Sequence, residues 1–501
     1  MSKKLYYSSC SIAAPHIGVI IDDLLAAKQN GDEVYWAYCH CALSSCFMNL
    51  DGHKSICQLC HRMYKEYQRV YGTGVHIIPI KREESQKQER AFDFKNVEDL
   101  KSFTYRQVEV GNSILSLYYT VTRDLDMDKF KQFHVFALPL VNELCDLVDK
   151  TYEIIAQVKP DIIIIHNGRL YENRLFYDIA KALDIRFKAV ETVGGHGEPY
   201  AKMSYPDALP HNIEKWNQLA ITTWGKSLDP EEEKIKIGSS FFERRRNGEI
   251  VVDVKTYVKN QKKGLLPDDY NPNRRNIVIY TSSQDELVAL GDDWSADQVF
   301  NSQCEAIGYI ISHSSSDIHY YIRIHPNLKG ITHKDHLNLY QYDKLPNATI
   351  IPPESKVSSY DLMDACEKVI TFGSSTGLEA CYWGKPSILI GHCGFELCGA
   401  VYHIKKLEDI MPSIEGQLPP KSRMAAIKFA YFLLDRKYKV DKTVTDIGVK
   451  TRHFLRWTFT YTSYFKLNNS KALFQIAFIW YYIILPKFKK PKHPFPWNYN
   501  V

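Results

Sequence analysis

The sequence predicts an α/β fold of two domains, each built on a parallel β-sheet with helices on its faces. Short apolar segments of strand type alternate with helical segments in both halves of the chain. Ile162 to Ile165 form a run of four isoleucines, which is typical of a strand buried on both faces of a parallel sheet. A chain of 501 residues is long enough for two hydrophobic cores of ordinary size.

The amino-terminal half contains two strand–helix–strand patterns in succession. The first helix is ended by Asn30 and Gly31, which favour a turn. The predicted elements are strands at 5–12, 33–38, 161–165 and 186–190, with helices at 17–29 and 174–183. Since helices separate the strands, this half is predicted to form a parallel sheet.

Polar side chains follow these strands at the edge where ligands bind in open α/β sheets. His16 comes after the first strand, and a loop at 191–198 carries Glu191, His196 and Glu198. An imidazole or carboxylate there is a candidate general base, and His16 is the first candidate. A lone histidine at a strand end is also a common structural residue. The choice among the four depends on a distance to an acceptor hydroxyl, which sequence spacing does not give.

One segment of the carboxyl-terminal half combines two predicted strands with a helix. It runs from Lys368 to Ile390, and the turn Gly373-Ser374-Ser375-Thr376-Gly377 joins the first strand to the helix. Hydroxyl groups and free backbone N–H groups at a helix start suit a phosphate, because the helix dipole favours an anion there. An ordinary helix cap is the alternative, since glycine and serine open many helices that bind nothing.

A second polar motif stands at the end of another predicted strand. Residues 321–324 have strand character and include Arg323. Pro326 directs the chain out of the sheet immediately after His325. The guanidinium and the imidazole are therefore expected at the ligand-binding edge of the second sheet.

Together, the motifs Arg323-Ile-His-Pro-Asn327 and Phe372-Gly-Ser-Ser-Thr-Gly-Leu-Glu-Ala380 resemble the nucleotide-binding domain of GT-B glycosyltransferases. The similar enzymes build bacterial surface polysaccharides such as capsule and lipopolysaccharide. They include transferases that use CMP-linked acidic sugars, and teichoic-acid-type polymerases that use CDP-glycerol. The resemblance covers roughly residues 276–392. It implies two Rossmann-like domains facing across a cleft, with a helical extension at the carboxyl terminus.

The resemblance also implies roles for single residues. The donor-binding residues that it implies are Arg323, His325, Ser374, Ser375, Thr376, Glu379, Ser282 and Ser283. The histidine and the motif hydroxyls would hold the donor phosphates, the arginine would add positive field, and Glu379 would hold the ribose or the transferred sugar. Ser282 and Ser283 are secondary phosphate ligands, and a solvated serine turn is an equal alternative for them.

The implied activity is transfer of a sugar from a nucleotide-activated donor to a growing surface glycan or a lipid-linked acceptor. The nucleotide-sugar is then a co-substrate. The alternatives are a glycerol- or ribitol-phosphate transferase, a sugar epimerase, and a non-catalytic GT-B-like binding module. No catalytic metal is expected, because the sequence has no convincing DxD-type motif. Asp22-Asp23 and Asp292-Asp293 are isolated pairs, interpreted as lying on a helix surface and on a loop.

Composition along the chain predicts its domain organisation. Charged residues and turn formers concentrate at 241–275, which is predicted as the interdomain connection. Residues 1–240 are then the acceptor-side domain, with a cysteine-rich insert at 39–61. Residues 276–420 are the nucleotide-sugar-binding domain, and residues 421–501 are a helical segment with a basic tail.

Five of the twelve cysteines crowd into one short region of the first domain. They are Cys39, Cys41, Cys46, Cys57 and Cys60. A cytoplasmic chain keeps its thiols reduced, so the cluster indicates a structural zinc site rather than disulfides. An iron–sulfur cluster would use the same thiolates and is an alternative, as are buried, inert cysteines.

The net charge and the apolar segments limit which partners and which cellular location are expected. A net charge of +5 is small for 501 residues and argues against nucleic acid as a partner. The amino terminus lacks the apolar core of a secretory signal, so a cytoplasmic location is expected.

Residues 472–485 are apolar and aromatic, but they fall short of the ~20 residues of a membrane span. Lysines at 487, 489, 490 and 492 follow. The segment is predicted as a core helix, and the lysines as a peripheral contact with the anionic inner face of the cytoplasmic membrane.

Overall fold

The computed structural model describes most of the chain, which forms two compact units. Unit 1 consists of Met1–Pro210 and Val440–Val501, and unit 2 consists of His211–Lys439. The positions outside the described residues are 10, 12–13, 45, 47–48, 50–53, 82–91, 93, 123–129, 170, 196–197, 252–256, 285–293, 295, 332–333, 436–441, 444–448, 455–456 and 463–501.

Strands and helices alternate through most of both units. The strands are β1 (Lys3–Ser8), β2 (Glu33–His40), β3 (His76–Lys81), β4 (Ile162–His166), β5 (Arg186–Gly195), β6 (Glu198–Pro206), β7 (Arg275–Tyr280), β8 (Ile318–Arg323), β9 (Ala348–Ile351), β10 (Lys368–Thr371), β11 (Ser387–Ile390), β12 (Tyr402–Ile404), β13 (Lys442–Thr443), β14 (Val449–Phe454) and β15 (Trp457–Thr462). The helices are α1 (Ala14–Gln29), α2 (Lys54–Tyr71), α3 (Val97–Lys101), α4 (Val110–Thr122), α5 (Phe130–Val158), α6 (Tyr171–Ala182), α7 (Ile213–Lys226), α8 (Glu231–Arg246), α9 (Gln303–His313), α10 (Lys334–Asn338), α11 (Ser359–Ala365), α12 (Thr376–Tyr382), α13 (Ile410–Glu415) and α14 (Arg423–Leu434).

The sheet of unit 1 has the order β13-β6-β5-β4-β1-β2-β3. Strands β3, β2, β1, β4 and β5 are parallel, as the isoleucine run at β4 predicted. Tyr6, Trp36 and Ile164 are fully buried in the core that joins this sheet to α1 and α2. The order of the five parallel strands places β1 beside β4, where the strand order reverses.

The loop predicted at 191–198 is largely a hairpin. Strand β5 continues to Gly195 and pairs with the antiparallel strand β6, so that Thr192 lies opposite Lys202. The prediction was wrong here because it relied on the glycines and charged residues of this segment, whereas Thr192 and Val193 favour a strand. Their backbone groups are satisfied by the neighbouring strand rather than by solvent.

The pair Asp22-Asp23 does not lie on a helix surface as predicted. Both side chains are buried, with 3% and 5% exposed. Lys188 Nζ lies 2.7 Å from Asp23 Oδ2, and Lys202 Nζ lies 3.0 Å from Asp22 Oδ2. Strands β5 and β6 supply these lysines, and the local sequence gives no sign of them. The pair is therefore neutralised inside the protein, since buried carboxylates require such partners.

The sheet of unit 2 has the order β12-β11-β10-β7-β8-β9, and all of its pairings are parallel. Counted from β7 as the first strand, this is the 3-2-1-4-5-6 order of a Rossmann fold. Its core contains Ile277, Ile279, Ile322, Ile370 and Ile388, each fully buried. The two parallel sheets confirm the predicted α/β class with two Rossmann-like domains.

Residues 241–275 do not connect the two units. Phe241 and Phe242 are fully buried in α8, which lies inside unit 2. Helix α8 packs so closely on α14 that a Cβ at Gly238 would stand 2.4 Å from the Ile427 carbonyl oxygen. The basic run that suggested a linker is the last turn of α8, where cations favour the helix dipole. The boundary between the units falls at Pro210 and His211 instead.

The described part of residues 421–501 is only partly helical. It contains α14, the short strand β13 at the edge of the unit 1 sheet, and the antiparallel pair β14 and β15. Alternating threonine and aromatic residues at 457–462 favour a strand over the helix that was predicted. The apolar segment 472–485 and its lysines lie outside the described residues. Among the helices that are described, none has the length and apolar character of a membrane span.

Candidate functional site

A cavity of about 430 Å³ opens in unit 2 at the carboxyl ends of β7, β8 and β10. This is the position where the strand order reverses, and ligands bind there in open α/β sheets. Eight of its lining residues are the predicted donor ligands Arg323, His325, Ser374, Ser375, Thr376, Glu379, Ser282 and Ser283. The volume lies within the ~300–1,000 Å³ of small-molecule sites.

Arg323 ends β8 and is only 2% exposed. Its Nη2 donates a hydrogen bond to the Ser355 carbonyl oxygen at 3.0 Å. Its Nε and Nη1 are buried, and neither has a hydrogen-bond partner among the described residues. Burial lowers the pKa of this guanidinium, because the surroundings disfavour its charged form. The cavity wall therefore presents a poorly solvated cation with two unused donors, and an anion would satisfy both.

His325 is held in one orientation by its neighbours. Its backbone N–H donates to Thr281 Oγ1 at 2.9 Å, and its ring Nδ1 accepts from the Asn327 N–H at 3.2 Å. The Tyr257 ring meets the imidazole edge-on at 5.5 Å between centroids. In the neutral ring, Nδ1 is thus the acceptor and Nε2 carries the proton. His325 can present an N–H donor to a ligand in the cavity.

The serine-rich turn after β10 supplies three hydroxyl groups to the cavity. Ser374 Oγ lies 2.9 Å from Thr376 Oγ1 and accepts from the Thr376 backbone N–H at 3.3 Å. Helix α12 is seven residues long and begins at Thr376, inside the turn that was predicted at 373–377. Ser375 Oγ lies between Arg245 Nη2, at 3.3 Å, and Glu379 Oε1, at 3.4 Å.

Glu379 is part of a buried ion-pair network that the sequence did not reveal. Arg245 reaches Glu379 Oε1 with Nη2 at 3.0 Å and with Nε at 3.2 Å. The Tyr360 hydroxyl donates to Glu379 Oε2. Burial opposes the charge on Arg245, but the Glu379 carboxylate outweighs burial and raises the pKa of the guanidinium. Glu379 therefore fixes Arg245 and Tyr360 beside the cavity, and its predicted contact with the donor stays a prediction.

A signal in the sequence points to Arg245. It follows Phe241 by four residues, so both lie on the same face of α8. Because that face is buried, an arginine there requires a buried anionic partner. Because Arg245 and Glu379 are far apart in the sequence, local sequence patterns did not identify Glu379 as this partner.

In unit 1, a second polar group lies where β1, β4 and β5 meet. The rings of His16 and His166 are 4.3 Å apart, and His166 Nε2 lies 3.2 Å from Glu191 Oε1. Thr192 Oγ1 is 3.3 Å from His16 Nδ1, and the Asn167 amide donates to the Glu191 carboxylate. The structure thus brings together His16 and Glu191, which the sequence could not rank. Ligand atoms of His16, His166 and Glu191 lie within 4.8 Å of one another, a spacing that could hold a metal ion.

Burial and charge set the protonation of this group. Burial and the neighbouring His166 lower the pKa of His16 to about 4. Burial opposes the charge on Glu191, but His166 outweighs it and lowers the pKa of that carboxyl to about 2. At neutral pH, His16 is therefore an uncharged proton acceptor beside a carboxylate. The other two candidate bases are not placed in this group: His196 lies outside the described residues, and Glu198 is described only as the first residue of β6.

The five clustered cysteines stay close in space without converging on one point. The thiols of Cys41 and Cys57 are hydrogen-bonded, and burial raises the pKa of Cys41 to about 11. Cys60 Sγ accepts from the Ser11 hydroxyl at 3.0 Å. Among the described residues, the cysteines form no group of three whose ligand atoms all lie within 4.8 Å. The zinc site at Cys39, Cys41, Cys46, Cys57 and Cys60 stays a prediction.

Residues 242–411 match a family model described as capsule polysaccharide biosynthesis protein. A comparison with curated proteins finds no match. Solved structures with a likeness include a β-Kdo 2,4-transferase, KpsC, of Thermosulfurimonas dismutans, with 15% identity, 56% of this chain and 80% of that chain covered, and a TM-score of 0.36. The spinosyn rhamnosyltransferase SpnG with thymidine diphosphate shares 13% identity, with 86% and 96% covered and a TM-score of 0.25.

The UDP-GlcNAc 2-epimerase of Methanocaldococcus jannaschii shares 12% identity, with 86% of this chain and 99% of that chain covered and a TM-score of 0.26. The family match covers about a third of the chain, including α8 from Phe242 and all six strands of the unit 2 sheet. Within residues 242–411, the chain is therefore similar to capsule polysaccharide biosynthesis proteins, which confirms the resemblance stated from the sequence.

Proposed function

We propose that this protein is a glycosyltransferase that moves a sugar from a nucleotide-activated donor to a growing capsule glycan or a lipid-linked acceptor. One observation carries the proposal. Arg323 is buried at the cavity, and two of its guanidinium nitrogens have no partner in the part of the chain that the structure describes, which is unfavourable unless an anion binds there. The family match over the same residues favours the phosphate of a nucleotide-activated sugar as this anion.

The cavity suits the charge that develops during sugar transfer. When the bond between the anomeric carbon and the donor phosphate oxygen breaks, the bonding electrons stay on the departing nucleotide. Arg323, the Nε2–H of His325 and the hydroxyls at 374–376 would stabilise this charge. These residues would thus supply hydrogen-bond donors in fixed positions to the leaving phosphate, and the proposed step needs no metal ion.

We propose that His16 accepts the proton of the acceptor hydroxyl as its oxygen attacks the anomeric carbon. Its pKa of about 4 keeps the imidazole uncharged at neutral pH, with Thr192 on Nδ1 and His166 beside the ring. The Glu191 carboxylate would stabilise the imidazolium that forms. Such a proton transfer typically contributes ~10²–10⁴-fold to the rate.

The first test is a thermal-shift screen of the full chain with CMP, UDP, GDP and their sugar conjugates. A ligand that binds the folded protein raises its melting temperature. Arg323→Gln should remove the shift and lower turnover by ~10²-fold or more. Arg244→Gln is the matched control, because Arg244 pairs with Glu249 on the exposed end of α8 and should leave both readouts unchanged. Equal nucleotide shifts in the wild type and Arg323→Gln would remove the site assignment.

The products then separate the remaining candidates. Sugar transfer releases a nucleotide and extends an acceptor, whereas a glycerol-phosphate transferase releases CMP with a new phosphodiester. An epimerase changes the sugar without needing an acceptor. Nucleotide binding with no turnover of any sugar conjugate would identify a binding module instead.

A further inference from the structure

A buried group in unit 2 lies apart from the residues that line the cavity. It consists of His392, Glu396 and His403, and none of them lines that cavity. His392 and Glu396 follow β11, and His403 is the middle residue of β12. Their side chains are only 8%, 5% and 10% exposed. Nothing in the proposed transfer reaction uses these side chains.

The three side chains direct ring nitrogens and carboxylate oxygens at one another. His392 Nε2 lies 2.7 Å from the Ala296 carbonyl oxygen, so this nitrogen is a donor and carries a proton. His392 Nδ1 faces Glu396 Oε2 at 3.0 Å, and this oxygen also accepts a hydrogen bond from the Cys393 backbone N–H at 3.1 Å. His403 Nδ1 faces Glu396 Oε1 at 3.6 Å, and its ring is hydrogen-bonded to the backbone of Gly391. These contacts require a positive charge, which either a proton on an imidazole or a metal ion between the three side chains would supply.

The spacing fits a metal ion. With bonds of ~2.0–2.1 Å, two ligand atoms of a tetrahedral zinc ion stand ~3.3 Å apart. The distances from His392 Nδ1 to Glu396 Oε2, 3.0 Å, and from His403 Nδ1 to Glu396 Oε1, 3.6 Å, lie on either side of this value. Histidines that bind metals usually donate their other ring N–H to a backbone carbonyl or carboxylate, as His392 does to Ala296.

We propose that His392, Glu396 and His403 bind a divalent cation of the zinc class through two imidazole nitrogens and a carboxylate. The ion would tie the loop after β11 to β12 and, through His392, to the segment at Ala296. Since the three side chains are buried, the site would stabilise this end of the sheet rather than take part in the reaction. The proposal does not rest on the glycosyltransferase activity.

The test is a cobalt titration of chelator-treated full-length protein, followed by visible absorption and elemental analysis. Glu396→Gln keeps the side-chain shape but removes the carboxylate, and it should lower the bound cobalt by one equivalent per chain. His403→Gln, in a less buried position, should do the same. His313→Gln, at the exposed end of α9, is the matched control and should bind as much cobalt as the wild type. Zinc should displace the cobalt and raise the melting temperature of the wild type and the control.

The cysteine cluster is a second possible source of bound metal, and the spectrum separates the two sites. Cobalt on thiolates gives an intense charge-transfer band, whereas a site of two histidines and a glutamate gives only weak visible bands. The double variant Cys57→Ser/Cys60→Ser should therefore lose any thiolate band. It should still bind the one equivalent of cobalt that Glu396→Gln loses. Equal cobalt binding in the wild type, Glu396→Gln and His403→Gln would overturn the proposal. If neither histidine-site variant folds, absence of any metal in the folded double cysteine variant would overturn it as well.

Discussion

Two buried arginines of unit 2 differ in how their charges are satisfied. Arg245 is paired with Glu379 and bonded to Ser375, whereas Arg323 has, among the described residues, one hydrogen bond, to a backbone carbonyl. A buried charge without an anion costs free energy, and removing one partner of a buried pair costs ~3–5 kcal/mol. Loss of Glu379 should therefore lower stability, whereas loss of Arg323 should not.

We expect Glu379→Gln to lower the stability of the unliganded protein by ~3–5 kcal/mol, because Arg245 would lose its counter-charge. Arg323→Gln should leave the stability unchanged or raise it, while abolishing the response to nucleotides. Urea unfolding of both variants, followed by the fluorescence of unit 2 tryptophans, measures the difference. A marked loss of stability in Arg323→Gln would show that its guanidinium is satisfied within the protein.

His16 should make stability depend on pH in the acidic range. The pKa of His16 is about 4 in the folded protein, below the value of 6.5 expected in the unfolded chain. As pH falls, the unfolded chain therefore takes up a proton at this residue before the folded protein does. Stability is therefore lost between pH 6.5 and about 4, by up to roughly 3 kcal/mol from this residue. In His16→Gln, which can still bond Thr192, the loss between pH 7 and pH 4.5 should be smaller. Equal pH profiles of the urea midpoint in both proteins would contradict this protonation state.

At the scale of elements, α12 depends on a close approach at Gly377. A Cβ at this position would stand 2.9 Å from Thr371 Oγ1 and 3.2 Å from Ser387 Oγ, on β10 and β11. Both hydroxyls are buried in packed surroundings, so moving either strand away would cost free energy. The helix can lie against the two strands, and hold Thr376 at the cavity, because this residue has no side chain.

Gly377→Ala should therefore lower stability by ~1–3 kcal/mol and weaken nucleotide binding, because a displaced α12 moves the serine-rich turn. Gly225→Ala in α7 is the matched control, since a Cβ added there would meet no atom within 4 Å, and alanine favours a helix. Thermal unfolding with and without the nucleotide found in the screen measures both effects. Similar melting temperatures in the two variants would show that α12 adapts to the larger residue.

At the scale of the whole molecule, both units use the same device to assemble polar groups. In unit 1, His16, His166 and Glu191 gather where β1 and β4 adjoin. In unit 2, the cavity opens where β7 and β10 adjoin. Parallel strands end at one edge of a sheet, so residues far apart in the chain meet there. The polar group of each unit thus lies at such an edge.

The lysines after the apolar segment at 472–485 predict a peripheral, cytoplasmic membrane association. Each lysine near an anionic leaflet contributes ~1 kcal/mol, so the attachment should weaken as salt rises. Truncation after Pro486 removes Lys487, Lys489, Lys490 and Lys492 and should release the protein from anionic vesicles at low salt. Activity on a soluble acceptor analogue should persist. Equal sedimentation of the full-length and truncated chains with vesicles would show that the tail has no membrane role.

Local patterns in the sequence were sufficient to predict the fold class and many of the residues that line the cavity in unit 2. The isoleucine run at β4 and the strand-turn-helix segment at 368–390 were placed correctly, because burial on both faces and turn chemistry leave local signatures. Predicted ligands from three strand ends met in one cavity, since parallel strands share an edge.

Only the tertiary structure decided how distant charges pair. Nothing near Asp23 predicts Lys188, nothing near Glu379 predicts Arg245, and the meeting of His16 with His166 crosses 150 residues of sequence. The hairpin of β5 and β6 was missed for the same reason, since its partner strand satisfies a polar segment. Periodicity records which side of an element is buried, because hydrophobic burial is non-directional. Ion pairs and hydrogen bonds depend on the position of one particular partner, which exists only once the chain has folded.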